Sequence, residues 1–196
     1  MPDPALARIP RDALPPRLGD LHDAAMRDRG EAVLIEAAGN APETLEWYYD
    51  RFYGEMFHRG RVAVRLKQLA RMKLSTLHGC AFCNRGNRLA ALEAGVTQAQ
   101  LDALGDPASP VFDAAERAVL RLAEQIEMSN FDGHLSPALH AELSPHFDDG
   151  QIFELGMVMA ILTGMAKFLF VFDLVSREAA CPMTAPPASQ GAEAAG

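Results

Sequence analysis

The sequence is short of what several fold and function classes require. It holds only three cysteines, Cys80, Cys83 and Cys181, in 196 residues. That excludes a disulfide-stapled mini-protein. A chain of this length needs no staples, because surface scaling buries about 70% of its unfolded area. A small, odd number of thiols without a secretory signal points to a reducing compartment, so a cytoplasmic location is expected. Positive charge is scarce as well: 18 lysines and arginines face 26 acidic residues, for a net charge of -8. Such a chain has no general attraction for phosphate backbones, and no nucleic-acid partner is expected. The N-terminus lacks an apolar targeting segment, since Asp3, Arg8, Arg11 and Asp12 are scattered among prolines there. The longest uncharged apolar run, Leu155 to Ala166, is too short for a bilayer, and Glu154, Lys167 and Asp173 interrupt its surroundings. A buried helix is expected there, and no membrane partner. Alternating apolar and polar residues nowhere persist long enough for a strand, and no repeat is visible.

What the chain does have is helical periodicity punctuated by proline and glycine, which predicts an all-α fold. Residues 1–16 read as an extended N-terminal arm, 17–178 as one helical domain, and 179–196 as a mobile tail rich in Ala, Pro and Gly. Leu18 to Arg29 predicts a first helix. Pro42 opens a second, on which Leu45, Tyr48, Tyr49, Phe52 and Met56 recur at spacings of three and four. A third runs from about Val62 to Leu77. Cys80 begins a fourth, closed by a left-handed cap at Gly95. Thr97, Asp113, Ser136 and Asp148 or Asp149 are placed to cap the helices that follow.

The chemistry is concentrated in His78, Gly79, Cys80, Ala81, Phe82 and Cys83. Two thiols three positions apart at a helix start share one face and can cycle between dithiol and disulfide. Free N–H groups and the dipole at that end favour the thiolate, the reactive form. Arg85 and Arg88 add positive charge one turn on, with side chains that can point outward. A zinc site needs about four ligands, and only His78 lies close by, so neither metal nor cofactor is expected. A thioredoxin-like βαβ frame is absent, which places any redox pair on a helical scaffold.

Residues 61–83, together with Ala94-Gly95-Val96-Thr97, Val111 to Glu116 and His146 to Leu155, resemble the AhpD-like family, also called the carboxymuconolactone decarboxylase superfamily. The resemblance spans roughly residues 42–175. It implies an all-helical, AhpD-like bundle that assembles as a homo-oligomer, a trimer or hexamer. It also implies a thiol peroxidase or disulfide reductase acting on a hydroperoxide or disulfide substrate. In that scheme Cys83 attacks the peroxide and becomes a sulfenic acid, Cys80 condenses with it, and an external dithiol protein resets the pair.

The family pattern also uses a glutamate twelve residues before the first cysteine and a histidine four after the second, as a proton relay. Here those positions hold Gln68 and Asn87, and Phe82 precedes Cys83. Amides keep hydrogen-bonding shape but do not exchange protons near neutral pH, so a slower peroxidase with altered proton traffic is expected. His78 is the nearest substitute base; it can equally cap the preceding helix. Two alternatives stand beside the peroxidase: a decarboxylase or other lyase of the superfamily, and a non-catalytic helical oligomer with inert cysteines. Tyr48 and Tyr49 read as core, or as the wall of a substrate pocket. Met157, Met159 and Met165 read as core or subunit interface. His134, His140 and His146 read as solvated, Glu116 and Arg117 as a charged helix face, and Cys181 as inert.

Overall fold

Local capping chemistry sets most element boundaries. The computed structural model describes residues 2–178. The expectations for the 179–196 tail and for Cys181 therefore lie outside the described residues. One 3-10 turn, Arg11–Ala13, precedes helices α1 (Pro16–Arg29), α2 (Val33–Ala38) and α3 (Pro42–Trp47). The last continues as a π-helix over Tyr48–Phe57. Then come α4 (Val64–Leu77), α5 (Ala81–Glu93), α6 (Gln98–Asp102), α7 (Ala114–Ile126), α8 (Pro137–Leu143) and α9 (Asp149–Val171). No strand occurs among the described residues. Thr97, Asp113 and Asp148 each accept the N–H three residues on, and Gln100, Glu116 and Gln151 return the bond to complete capping boxes. Ser136 caps α8.

Helix α4 is the centre of the fold. Every residue from Lys67 to Ser75 is buried, and the helix packs against α5, α7 and α9. One core gathers α1, α2, the π-helix and one side of α9. A second lies between α4, α7, α8 and α9.

The structure adds to the sequence expectations and departs from them in places. Helix α2 is absent from the sequence reading because its Val33, Leu34, Ile35 and Ala37 are all buried, which removes the polar face that periodicity needs. Residues before α1 pack onto it: Ile9 N donates to Glu36 O at 3.0 Å. The second helix is not α-helical throughout. Rings of Tyr48, Phe52, Tyr53 and Phe57 pack at centroid distances such as 4.8 Å (Phe52–Tyr53) and 5.3 Å (Tyr48–Tyr53), and the wider turn accommodates them. Glu116 is not on a solvated face. It is buried, pairs with Arg65 and accepts from Gln100 Nε2 at 2.9 Å. Finally, α9 is only half a core helix. It is long and apolar enough to cross a membrane by length and composition alone, yet only 33% of that window is buried in the chain.

The π-helix ends on a buried knot. Lys67, fully buried, donates to Met56 O (2.8 Å) and Phe57 O (3.1 Å) and pairs with Glu154 at 2.6 Å. Glu154 also accepts from Arg61 N at 2.7 Å and Val62 N at 3.0 Å. Burial pushes the Glu154 carboxyl up, but these donors outweigh it and hold its pKa below the usual range. Glu154→Ala leaves a buried ammonium uncompensated, and we expect a loss of about 3–5 kcal/mol in chemical denaturation. A loss below ~1 kcal/mol would show that the knot is already solvated.

Candidate active site

The thiol loop is built by one glycine and one unusual cap. Helix α4 closes at His78, and Gly79 takes φ 65°, a left-handed turn that side chains rarely adopt. The chain then extends through Cys80, whose sulfur accepts from Cys83 N at 3.2 Å and serves as the N-cap of α5. Cys80 and Cys83 are disulfide-bonded, with Cα atoms 5.2 Å apart. The segment after α9 holds the loop in place. Phe82 N donates to Ser176 O at 3.4 Å and Glu178 N to Gly79 O at 2.8 Å. Buried Glu31 accepts from Ser176 N at 3.0 Å and pairs with Arg85 at 3.2 Å. Arg85 and Arg88 thus turn away from the sulfurs, Arg88 bonding Gln98.

The two sulfurs have different surroundings. Cys80 is fully buried. Cys83 opens onto a cavity of about 90 Å³ walled by Tyr48, Tyr49, Tyr53 and Phe82 on the aromatic side and by Leu162 and Met165 from α9. Ser75, His78, Asn87, Arg29 and Arg71 add polar atoms. No carboxylate is among its lining residues. A second, open cavity of about 520 Å³ adjoins it, sharing Arg29, Tyr49, Tyr53 and Arg71. Gln68 lines this outer space, buried, with Oε1 unpartnered. Cys83, Asn87 and His78 therefore meet around one cavity, while Gln68 lines the adjoining outer space.

Electrostatics separate donors from bases. Burial, helped by neighbouring Tyr53, raises the pKa of Tyr48 and Tyr49, so both phenols stay protonated and act as donors. Burial lowers His78 to about 4, and its Nε2 accepts the Met128 N–H at 3.3 Å. A neutral imidazole with that lone pair engaged has a packing task and is poorly placed as a base. Because the folded pKa lies below the unfolded value near 6.5, the unfolded chain binds the extra proton between these values. Stability from His78 is complete above pH ~6.5 and drains away toward pH 4, by up to about 3 kcal/mol. We expect His78→Gln to flatten that part of the stability–pH curve. An unchanged acid limb would place the titration elsewhere. Burial likewise lowers His58 at the outer cavity, with Arg71 and Lys67 adding to it.

Arg71 and Arg29 are site residues that the sequence reading does not single out. Gln68, Arg71, Ser75 and His78 do form a polar stripe at helical spacing along α4, ending at the thiol loop, and that stripe is the available signal. Arg29 comes from α1, and only the fold brings it to the site. Gly86 admits it, since a Cβ there would lie 2.4 Å from the guanidinium. The remaining candidates disperse. Met159 is core, Met165 lines the cavity and Met157 is exposed. His134 and His146 are exposed and His140 is partly so. Among the described residues no group of side chains could hold a metal ion.

Residues 42–125 match the Carboxymuconolactone decarboxylase family. Three solved structures share the fold. The alkylhydroperoxidase AhpD core, an uncharacterized peroxidase-related protein from Ralstonia eutropha JMP134, is 12% identical with a TM-score of 0.70, covering 91% of this chain and 94% of that one. The debrominase Bmp8, without ligand, is 20% identical with a TM-score of 0.69, covering 90% and 94%. Its cysteine-to-alanine variant in complex with 2,3,4-tribromopyrrole has the same identity and score, covering 90% and 93%. No curated protein matches the chain significantly.

Proposed function

We propose that this chain, whose residues 42–125 match the Carboxymuconolactone decarboxylase family and whose helical frame matches an AhpD core, is a thiol oxidoreductase that reduces organic hydroperoxides with the Cys80–Cys83 pair. The observation that carries this reading is the asymmetry of the pair. Cys83 opens onto an aromatic-walled cavity while its partner is buried directly behind it.

The Cys83 thiolate attacks one peroxide oxygen, the O–O bond breaks, and the alkoxide leaves with the proton that Cys83 gave up. Cys80 then attacks the resulting sulfenic acid, and hydroxide leaves as water with the Cys80 proton. Two thiols and one hydroperoxide become a disulfide, an alcohol and water. An external dithiol reaches Cys83, and Cys80 departs as a thiolate that the Cys83 N–H stabilises. Arg29 and Arg71 favour the thiolate in a cavity without carboxylates. Gln68 and Asn87 hold orientation but relay no proton, so transfer falls to water or to the tyrosine hydroxyls. The dithiol is the working state, which suits a reducing, cytoplasmic setting. Neither metal nor cofactor enters the scheme.

A second acceptor is worth a direct test, because the aromatic wall of Tyr48, Tyr49, Tyr53 and Phe82 suits a flat ring and a debrominase shares the fold. Reduction of a bromoarene by the same pair would give the arene, bromide, a proton and the disulfide. Reduced protein supplied with a small dithiol is therefore offered cumene hydroperoxide and a bromopyrrole in parallel. Consumption of the hydroperoxide supports the proposal; bromide release alone would replace it with the second reading. A lyase is less well served, because the cavity lining offers no carboxylate and no free base.

We also propose a homo-oligomer, a trimer or hexamer, built on the open face of α9. Phe153 (72% exposed), Met157, Ala160, Gly164, Phe168 and Val171 (67%) recur there at spacings of three and four. Ala160→Arg is expected to shift sedimentation from oligomer to monomer. A wild-type monomer would refute the assembly.

A further inference from the structure

We propose that the thiol cavity recognises a carboxylate, so that the preferred substrate is an organic molecule with an acid group at one end and the reducible group at the other. Arg71 is the receptor, and Arg29 assists it. This rests on the thiol-oxidoreductase reading for its chemistry, although the binding site can be tested without turnover.

Arg71 lies mid-helix in α4 with only 7% of its surface exposed. Among the described residues it forms no ion pair. Its one hydrogen bond runs from Nη1 to Tyr53 Oη at 3.3 Å, and its Nε is buried without a partner. The guanidinium lies over the rings of Tyr53 and Phe57, 5.6 and 5.4 Å from their centroids. Such faces partly replace water around a cation but leave its in-plane donors free. A buried guanidinium is ordinarily paired, because desolvation of an uncompensated charge is costly. Two carboxylates line the outer space: Asp28 is engaged by Arg27, and Glu93 is exposed to solvent and forms no ion pair with either arginine. Arg29 repeats the pattern. Its Nε is also buried and unpartnered, and it lies 5.1 Å from the Phe82 centroid.

Both arginines line the cavity that Cys83 opens onto, and both line the outer space as well. An anion held there sits where the outer space meets the thiol cavity. The planar fork of Arg pairs two-pronged with a carboxylate, and the aromatic walls suit the apolar body that follows. Held by its acid, the substrate would present its far end to Cys83.

Two measurements test this. The first needs no turnover: binding of 4-isopropylbenzoate and of 4-isopropylbenzamide to the disulfide form by calorimetry. The acid is expected to bind roughly 10- to 100-fold tighter, the range of a hydrogen-bonded charge pair. That preference should vanish in Arg71→Gln and survive in part in Arg71→Lys. The second compares kcat/KM for cumene hydroperoxide and its para-carboxylated analogue, with the same preference expected. Equal binding of acid and amide by the wild-type protein overturns the proposal, whatever the variants do. Acid-selective binding without any hydroperoxide consumption would uphold the carboxylate site and refute the peroxidase reading.

Discussion

Replacing Cys83 with serine is expected to lower hydroperoxide consumption by at least about 10³-fold, whereas Cys80→Ser should still react once. The cavity geometry makes these variants unequal. Cys83 is the sulfur that a molecule in the cavity can touch, and no other thiol lines the space. Losing the nucleophile removes the chemical step itself, which typically costs several orders of magnitude. Cys80 is fully buried behind it, bonded to Cys83. Without Cys80 the first step proceeds and the sulfenic acid has no partner. One equivalent of peroxide is then consumed per chain, and a cyclic 1,3-diketone labels Cys83. Turnover of Cys83→Ser at the wild-type rate would assign the attack to another residue.

The second large effect is a gain. Gln68→Glu combined with Asn87→His installs an acid and a base at the two positions where the family pattern has its relay. General acid–base assistance is worth about 10²–10⁴-fold, so the double variant is expected to react about 10²-fold faster near neutral pH. Asn87 already lines the Cys83 cavity, so a histidine there has direct access to the sulfur. The carboxylate introduced by Gln68→Glu would stand one helical turn from Arg71, which lacks an ion-pair partner among the described residues, so its charge would be matched. The same pairing gives a diagnostic. By occupying Arg71, that carboxylate should weaken binding of a carboxylated ligand even as the peroxide rate rises. A double variant no faster than wild type would mean that protons already move through water or the tyrosine hydroxyls without limiting the rate.

Much of this is legible in the sequence wherever the cause is local. Thr97, Asp113, Ser136 and Asp148 cap helices because each satisfies a backbone donor three residues away, and so short a reach is visible in one dimension. The thiol pair at a helix start is legible for the same reason. Non-local causes are not. Helix α2 is buried on nearly every side, and the π-turns answer to rings packing on one another and to Lys67 arriving from α4. Glu116 resembles any charged residue in a first turn until Arg65 and Gln100 close on it from other helices. Gln68 and Asn87 stand out in the sequence, yet only the fold shows that Asn87 lines the cavity of Cys83 while Gln68 lines the outer space beside it. Arg71 lies in plain view between them. Its lack of a counter-ion is a property of everything around it.

The central claim is that Cys80 and Cys83 together deliver two electrons to a molecule in the cavity. The most direct measurement mixes the reduced protein with one equivalent of cumene hydroperoxide, quenches by alkylation at successive times, and maps the blocked and free cysteines by mass spectrometry. We expect Cys83 to disappear first as sulfenic acid, then Cys80 and Cys83 to be lost together as one disulfide, with one alcohol formed per chain. Both cysteines remaining fully alkylatable after the peroxide has been consumed, or no consumption over minutes, would contradict the account.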